Sequence, residues 1–318
     1  MSRAALSAFA RSLALFVLTS LGAPAEATAQ IAVPNDNDPN DRFALPDAPA
    51  PPTLPDLTHR ALAASLESTF ASIQPLPTGT TAGRSLGWTE RLELEQALSI
   101  RRWYVGVSEE LALGRANDGN FLLVASNPEI WGRALWASQA GLAYGGGLGF
   151  VLPIVNHGDE GRDVAQTMRV VRPWDYVEFT NDDIVLRPFI DVRNIDGKVI
   201  LQLRQGIDWV RSDASLTSRT TFYVGYRPSE QFGIGLEAWE VYLIQAANPK
   251  DEGRAAYAVS PSLRFMTRML QPALSFLLPI DRPLFDAVQS FWAVRLSFSV
   301  IIDRPEKDEV APTSWLSP

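Results

Sequence analysis

The chain has 318 residues, of which 46% are hydrophobic and 20% charged, and it carries a formal net charge of −8 with no cysteine. This acidic balance argues against nucleic-acid binding, which needs a basic surface to neutralise phosphates. The lack of cysteine excludes a disulfide framework and thiolate metal sites, and beyond the N-terminus no apolar run is long enough for a transmembrane helix.

Residues 1–29 have the pattern of a secretory signal peptide. Arg3 and Arg11 supply positive charge, the stretch LALFVLTSL is an apolar core too short to span a bilayer, and the sequence ATA at 27–29 is a cleavage motif. We therefore expect export and cleavage before Gln30. Residues 30–56 are rich in Pro, Asp, Asn and Ala, a composition that predicts a disordered leader.

Residues 57–86 have a pattern that predicts an amphipathic helix and a linker. Four apolar residues recur there at helical spacing, namely Leu62, Leu66, Phe70 and Ile73. Pro75 is a stop signal for this helix, which we place at 58–73. We expect the helix to lie against the main domain or to plug it.

From Gly87 to Ile302 the apolar period changes to two, which predicts β-strands. The candidate strands are 88–98, 102–113, 120–136, 138–154, 184–194, 198–211, 218–227, 231–245, 255–267, 270–281 and 289–302. Most are longer than strands of soluble sheets and match the roughly 9–11 residues of tilted membrane strands. Segments 155–183 and 246–254 read as longer loops at one rim.

Bacterial membrane barrels have an even number of strands. A twelfth strand at 170–179 gives twelve, whereas treating 120–136 as a loop gives ten. We predict an all-β fold, a closed antiparallel transmembrane β-barrel of twelve strands, with ten as the alternative, and a short N-terminal helix.

Large aromatic residues fall near the ends of these strands, as interfacial girdles do. The predicted membrane-interface aromatics are Trp88, Trp103, Trp136, Trp209, Tyr223 and Trp292, and Trp174 also falls near a strand end. With the signal peptide and the strand length, they favour a membrane barrel over a sandwich.

On these features the chain resembles the Gram-negative outer-membrane β-barrels. It is broadly similar to porin-like proteins and to transporters of long-chain fatty acids and aromatic hydrocarbons, over residues 87–302 and by pattern, not by a diagnostic motif. The resemblance implies an outer-membrane location, contact with lipid and lipopolysaccharide, insertion by the barrel-assembly machinery, and small solutes as partners. The usual terminal aromatic is absent at Pro318, where a polar tail (303–318) follows the last strand, so any assembly signal is internal.

If the apolar rows face lipid, the alternate residues face the lumen. The predicted lumen-lining residues are Glu93, Glu95, Glu110, Arg187, Asp191, Arg193, Gln202, Arg204, Asp208, Glu237, Arg264 and Arg295. Such residues fit a passive channel or small-solute transporter with a charged lumen. They equally fit a structural or adhesive barrel whose paired charges fill the lumen. A soluble periplasmic β-sandwich binding module is a further alternative.

No motif predicts a catalytic residue, a metal site or a cofactor. His157 lies beside Asp159 and Glu160, but no Gly-x-Ser-x-Gly elbow accompanies it and the spacing matches no EF-hand loop. A membrane-embedded hydrolase is the remaining enzymatic alternative. The pattern leaves the solute and the oligomeric state open.

Overall fold

The computed structural model describes residues 49, 51–54, 62–75, 85–98, 103–115, 120–137, 142–155, 158–179, 183–212, 214–246, 254–266, 270–280 and 288–302. The signal peptide, most of the leader, His157 and the polar tail lie outside these residues. Within these ranges, no helix has both the length and the hydropathy needed to cross a bilayer.

Strands form most of the described chain. In order they are β1 Leu62–Pro75, β2 Ser85–Ala97, β3 Trp103–Arg115, β4 Phe121–Ala125, β5 Glu129–Ala137, β6 Leu142–Val151, β7 Val185–Asp196, β8 Val199–Val210, β9 Leu216–Tyr226, β10 Phe232–Gln245, β11 Ala255–Phe265, β12 Leu270–Pro279 and β13 Val288–Ile302. All described pairings are antiparallel.

The sheet closes on itself because β1 pairs with both β2 and β13. β4 and β5 follow one another along the same edge of β3, separated at 126–128, so together they occupy one position in the wall. The result is the predicted closed barrel of twelve strands. A closed single sheet means that the β-sandwich alternative is wrong.

The predicted N-terminal helix is wrong, since Leu62–Pro75 is strand β1 and supplies the twelfth strand. Leu62, Leu66 and Phe70 are four residues apart, a spacing that fits one face of a helix and equally one face of a strand. Leu66 and Phe70 point outward, whereas Ile73 is fully buried on the inner face. The barrel therefore begins at 62 and not at 87.

The segment after β6 folds back into the barrel instead of forming an external loop. Helix α1 (Gly158–Met168) continues into two 3-10 helical segments, Arg169–Val171 and Pro173–Phe179. We call residues 158–179 the plug. The prediction of a strand at 170–179 is wrong, because this stretch lies in the interior and packs against the inner wall.

Glycines in the wall let α1 approach closely. A Cβ atom at Gly114 would lie 2.9 Å from Cγ1 of Val164, and one at Gly87 would lie 2.7 Å from Sδ of Met168. Val164 and Met168 are themselves buried in the cluster between plug and wall. Larger residues at these two positions would push the plug away from β2 and β3.

The two faces of the wall differ sharply in chemistry. The outward rows are apolar and exposed, as Leu201, Phe222, Leu236, Leu263, Phe276 and Leu296 illustrate. The inward rows carry charged, polar or small residues. Twelve strands spaced by about 4.8 Å and tilted by about 40° enclose a backbone cylinder about 24 Å across. Wall side chains alone do not fill such an interior, and the inserted segments occupy much of it.

Exposed tryptophans mark both rims of the barrel. β1 starts and β13 ends at one rim, which we call the terminal rim, and the plug enters at the opposite one, the plug rim. Trp103 and Trp136 lie near the terminal rim, and Trp209 and Trp292 near the plug rim. All four side chains are exposed, and these positions agree with two aromatic girdles.

Two further aromatics complete the comparison with the sequence. Trp88 lies near the plug rim on an outward row and stacks on Phe70. Tyr223 was predicted to face the membrane, but its side chain points inward and is buried. Trp174 is also not interfacial, because it lies on the plug and stacks on Trp239 with 4.1 Å between ring centroids.

Candidate functional site

The candidate site is the barrel interior, where the structure brings the predicted lumen-lining residues together. All of them lie on inward-facing rows, and all but Glu93 and Arg204, which are half-buried, are buried. Buried charges are tolerated only when they are paired or hydrogen-bonded. Their partners therefore decide what the interior can do.

Arg187, on β7, is the centre of the largest ion-pair network. Its guanidinium lies 3.0 Å from Asp208 and 2.6 Å from Glu129, both on the wall. It also lies 2.7 Å from Asp175 and 3.3 Å from Glu178, both on the plug. Arg187 has no exposed side-chain surface. It therefore joins the plug to two strands of the wall.

Arg172 ties the plug to the other side of the wall. It is ion-paired with Glu67 of β1, and its Nε lies 3.8 Å from a carboxylate oxygen of Glu110 on β3. Within the plug it lies 2.7 Å from Asp175. Arg295 of β13 reaches the same Glu67 through Nε at 3.0 Å. The plug is thus held by charge on both sides of the barrel.

The two plug carboxylates have opposite pKa shifts. Burial opposes ionisation of Asp175, but the surrounding arginines, Arg172 first among them, outweigh it and hold the pKa well below its usual range. Burial raises the pKa of Glu178 from 4.5 to about 8, with Asp175 and Glu129 adding to the rise and Arg91 opposing it. Of the two carboxyl groups, Glu178 is therefore the one that titrates near neutral pH.

Glu129, Asp175 and Glu178 place carboxylate oxygens within 4.8 Å of one another, an arrangement that could attract a cation. The Arg187 guanidinium already contacts all three residues. The arginine already supplies the positive charge that a cation would bring, so the cluster is part of the ion-pair network.

A break in the wall anchors both ends of the inserted segment that contains the plug. At Asn127, between β4 and β5, the backbone N–H donates to the carbonyl oxygen of Glu178, and the side-chain oxygen accepts from the N–H of Val155. The bend that ends β4 thereby binds both ends of the inserted segment.

A second network lies closer to the terminal rim. Arg133 of β5 lies 2.7 Å from Glu95 of β2, and the indole N–H of Trp131 donates to the same carboxylate at 3.3 Å. Arg204 of β8 donates to both oxygens of Asp191 on β7, at 2.7 and 2.9 Å. These pairs join wall strands to one another without involving the plug.

The described part of the Pro-rich leader also lies inside the barrel. We call Pro49 and residues 51–54 the N-terminal insert. The N–H and hydroxyl of Thr53 both donate to Glu237 at 3.0 Å, and the hydroxyl of Tyr223 donates to the carbonyl of Pro49 at 3.2 Å. Arg264 donates to the carbonyl of Pro51 at 3.1 Å. The prediction of disorder is therefore wrong for these residues.

A chamber between the N-terminal insert and the plug has a cavity volume of about 50 Å³, which is room for a few water molecules or a small solute group. Its lining residues are Thr53, Leu54, Arg91, Glu93, Glu129, Trp131, Arg172, Trp174, Asp175, Phe189, Arg204, Arg219 and Thr221. Ligand pockets are typically larger and mostly apolar, whereas this chamber is small and lined mainly by charged and polar side chains. Within the described part of the chain, this chamber is a candidate position for a small polar solute.

Comparison with known proteins supports the barrel fold. No protein-family model and no curated protein matches the chain. An outer membrane channel from Pseudomonas putida F1 superposes with a TM-score of 0.54 and 10% identity, covering 80% of this chain and 99% of that one. This chain shares the closed β-barrel fold of that channel. Closure, the apolar outer rows and the two rims of tryptophan agree with that assignment.

Two porins also superpose on this barrel, with lower scores. The NanC porin gives a TM-score of 0.48 at 11% identity and the KdgM porin 0.43 at 11%, each covering 74% of this chain and 98% of the other. The fold assignment rests on the Pseudomonas channel and on the geometry, since the scores of these two are low.

Several interior residues were not among the predicted set. On the wall, Arg91, Arg133 and Arg219 lie on the inward rows of β2, β5 and β9, so the alternation that identified Glu93 also points to them. The plug residues carry no such signal. Their inward position depends on a segment entering the barrel, which period-two alternation does not report.

Proposed function

We propose that the protein is an outer-membrane channel for small solutes, closed in this conformation by the plug and the N-terminal insert. The observation that carries the proposal is the position of the chamber, which lies inside the barrel between these two inserted segments. Each segment is joined to the wall through connecting chain and is not itself a wall strand. Both can therefore move out without breaking the barrel ladder.

The charged interior supports selection among solutes. The chamber wall presents arginine and carboxylate side chains to one small space, and charged groups in a water-poor lumen act strongly on a passing ion or dipole. We infer that solutes pass between the aromatic faces of Trp131 and Trp174 and these charges. Catalysis has no part in this proposal.

The proposal extends to export and orientation. We propose that residues 1–29 are a cleaved signal peptide, that the remaining leader and the tail 303–318 lie in the periplasm, and that the terminal rim is periplasmic. The two-residue turn at 197–198 in that rim supports this orientation, because periplasmic turns of such barrels are short. Lipid, lipopolysaccharide and the barrel-assembly machinery are the proposed partners.

A structural barrel with a filled lumen is the second candidate. It is favoured by Arg187, whose five hydrogen bonds to wall and plug leave none of its side chain exposed. In that case the plug never leaves, and the buried charges serve only to fill the interior.

Single-channel recording distinguishes these two candidates. The purified, folded protein is reconstituted into planar bilayers, and the current is recorded at several voltages with a heat-denatured sample as control. Discrete openings from a mostly closed baseline are expected for the channel. A silent bilayer that contains protein shown to be folded by heat-modifiable gel migration supports the filled barrel and overturns the channel proposal.

A further inference from the structure

The chamber contains one carboxylate, that of Glu93, on which the positive charges of Arg91 and Arg204 act only from beyond ion-pair distance. Glu93 lines the chamber from β2, and within the described ranges its carboxylate forms no ion pair and accepts no hydrogen bond. Its neighbours across β1 and β3 are Ser65 and Ser108. Glu95, two residues further on, is by contrast held by Arg133.

The other charged residues of the chamber are compensated. Arg91 is ion-paired with Glu178, and Arg219 lies 2.7 Å from Asp208. Arg172 is paired with Glu67 and Asp175. Of the chamber carboxylates, Glu129 and Asp175 contact Arg187. Glu93 is therefore the carboxylate in the chamber that is available to a solute.

One arginine presents a free donor to the same space. Arg204 uses Nε and Nη2 for Asp191, whereas its Nη1 makes no hydrogen bond within the described chain. Its side chain keeps 23% of its surface exposed, and its guanidinium stacks over Phe189 at 4.3 Å. The Nη1 atom can therefore donate to an anionic group in the chamber.

Glu93 and Arg204 lie on nearly opposite walls. The path β2, β3, β5, β6, β7, β8 takes five pairings around a barrel of twelve strands. The two groups attract each other across the chamber but form no ion pair, so the chamber presents a negative and a positive group from different sides. A molecule that carries both charges at its two ends complements this arrangement.

We propose that the chamber binds small zwitterions, with Glu93 holding an ammonium group and Arg204 holding a carboxylate or a similar anionic group. This assignment deepens the proposed channel function by naming a solute class. The aromatic faces of Trp131 and Phe189 contact the carbon skeleton between the two charges.

Equilibrium binding tests the proposal without requiring a current. Calorimetric titrations on the folded protein in detergent use ω-amino acids from glycine to 6-aminohexanoate, after overnight equilibration, with ethylammonium chloride and sodium propionate as single-charge analogues. At least one ω-amino acid is expected to bind at least tenfold more tightly than either analogue. If neither analogue is surpassed at any chain length, the chamber is not a zwitterion site.

Two substitutions separate the roles of the charges. Glu93→Gln should weaken binding of the preferred ω-amino acid at least tenfold and abolish any binding of ethylammonium. Arg204→Gln should weaken the ω-amino acid similarly but should not weaken ethylammonium. Glu240→Gln, on an outward row of β10, is the matched control and should bind as the wild type does.

The experiments distinguish failure of the channel proposal from failure of the proposed solute class. Current without zwitterion binding overturns the solute class and leaves the channel intact. Binding that Glu93→Gln does not change, in protein shown to be folded, overturns the assignment of this carboxylate. Binding without current supports the site in a barrel that does not conduct.

Discussion

Replacing Arg187 with glutamine is expected to release the plug. Of the five hydrogen bonds that Arg187 donates, three go to the plug, to Asp175 at 2.7 Å, to Glu178 at 3.3 Å and to the carbonyl of Trp174 at 3.1 Å. The other two go to wall residues, so the substitution removes them equally from the closed and the released state of the plug. Only three of the five therefore bear on the equilibrium between the closed and the released plug.

The size of the effect follows from this division. Removing one partner from a buried ion-pair cluster costs about 3–5 kcal/mol. Assigning three fifths of that cost to plug release gives about 2–3 kcal/mol. Because about 1.4 kcal/mol corresponds to a tenfold change, the population of released plug should rise roughly 30- to 150-fold.

The assay for Arg187→Gln is open probability in planar bilayers, with Arg211→Gln, at an exposed residue just beyond β8, as the control. Arg187→Lys keeps the charge and should give an intermediate value. An open probability equal to the wild-type value, together with an unchanged unfolding midpoint, would refute the view that Arg187 holds the plug.

Three further changes test other parts of the account. Tyr223→Phe removes the hydrogen bond to Pro49, worth about 1 kcal/mol, and should raise open probability about fivefold; no rise would mean that this bond does not retain the N-terminal insert. Because the pKa of Glu178 rises from 4.5 to about 8 on folding, the folded state holds more protons between these pH values, so stability should fall as pH rises through that window. Glu178→Gln should flatten this part of the profile of thermal midpoint against pH, and an unaltered slope would count against the assignment. Gly106→Val places a side chain against the ring of Trp131 and should destabilise the barrel by about 1–3 kcal/mol, measured by heat-modifiable gel migration, whereas Gly132→Ala, where the nearest atom to the new Cβ is 3.8 Å away, should have little effect.

The strands of the barrel wall could be predicted from the sequence, because a strand with one apolar and one polar face shows as an alternation of apolar and polar residues. All eleven candidate strands overlap strands of the structure. Strand β1 is not recognisable as a strand from the sequence, because apolar residues four apart fit one face of a helix and also one face of a strand. Ile73 lies off the outward row of β1 and faces the plug. Tyr223 was assigned by its position near a strand end, although its alternation with Phe222 already placed it on the inner face.

The arrangement of the barrel interior could be predicted from the sequence only in part. The inward rows predict which wall residues lie close together in the lumen, such as Arg187 and Asp208. They do not predict that the plug and the N-terminal insert contact those residues. The plug and the N-terminal insert reach the lumen through tertiary contacts with long sequence separation, such as that between Thr53 and Glu237. Local composition predicted disorder for that leader, because its apolar burial comes entirely from the surrounding wall.

The central claim is that the barrel conducts only when its inserted segments move. The chain has no cysteine, so pairs can be introduced without interference. Gly114→Cys with Val164→Cys joins the plug to β3, since a Cβ at Gly114 lies 2.9 Å from Cγ1 of Val164. Gly233→Cys with Pro49→Cys joins the N-terminal insert to β10, where a Cβ at Gly233 would touch Pro49.

The deciding measurement is the current through this four-cysteine variant in a planar bilayer before and after a reducing agent is added. The account predicts no openings while both disulfides are closed and wild-type openings once they are reduced. Equal current in the oxidised and reduced states, with disulfide formation verified by mass spectrometry, would contradict it.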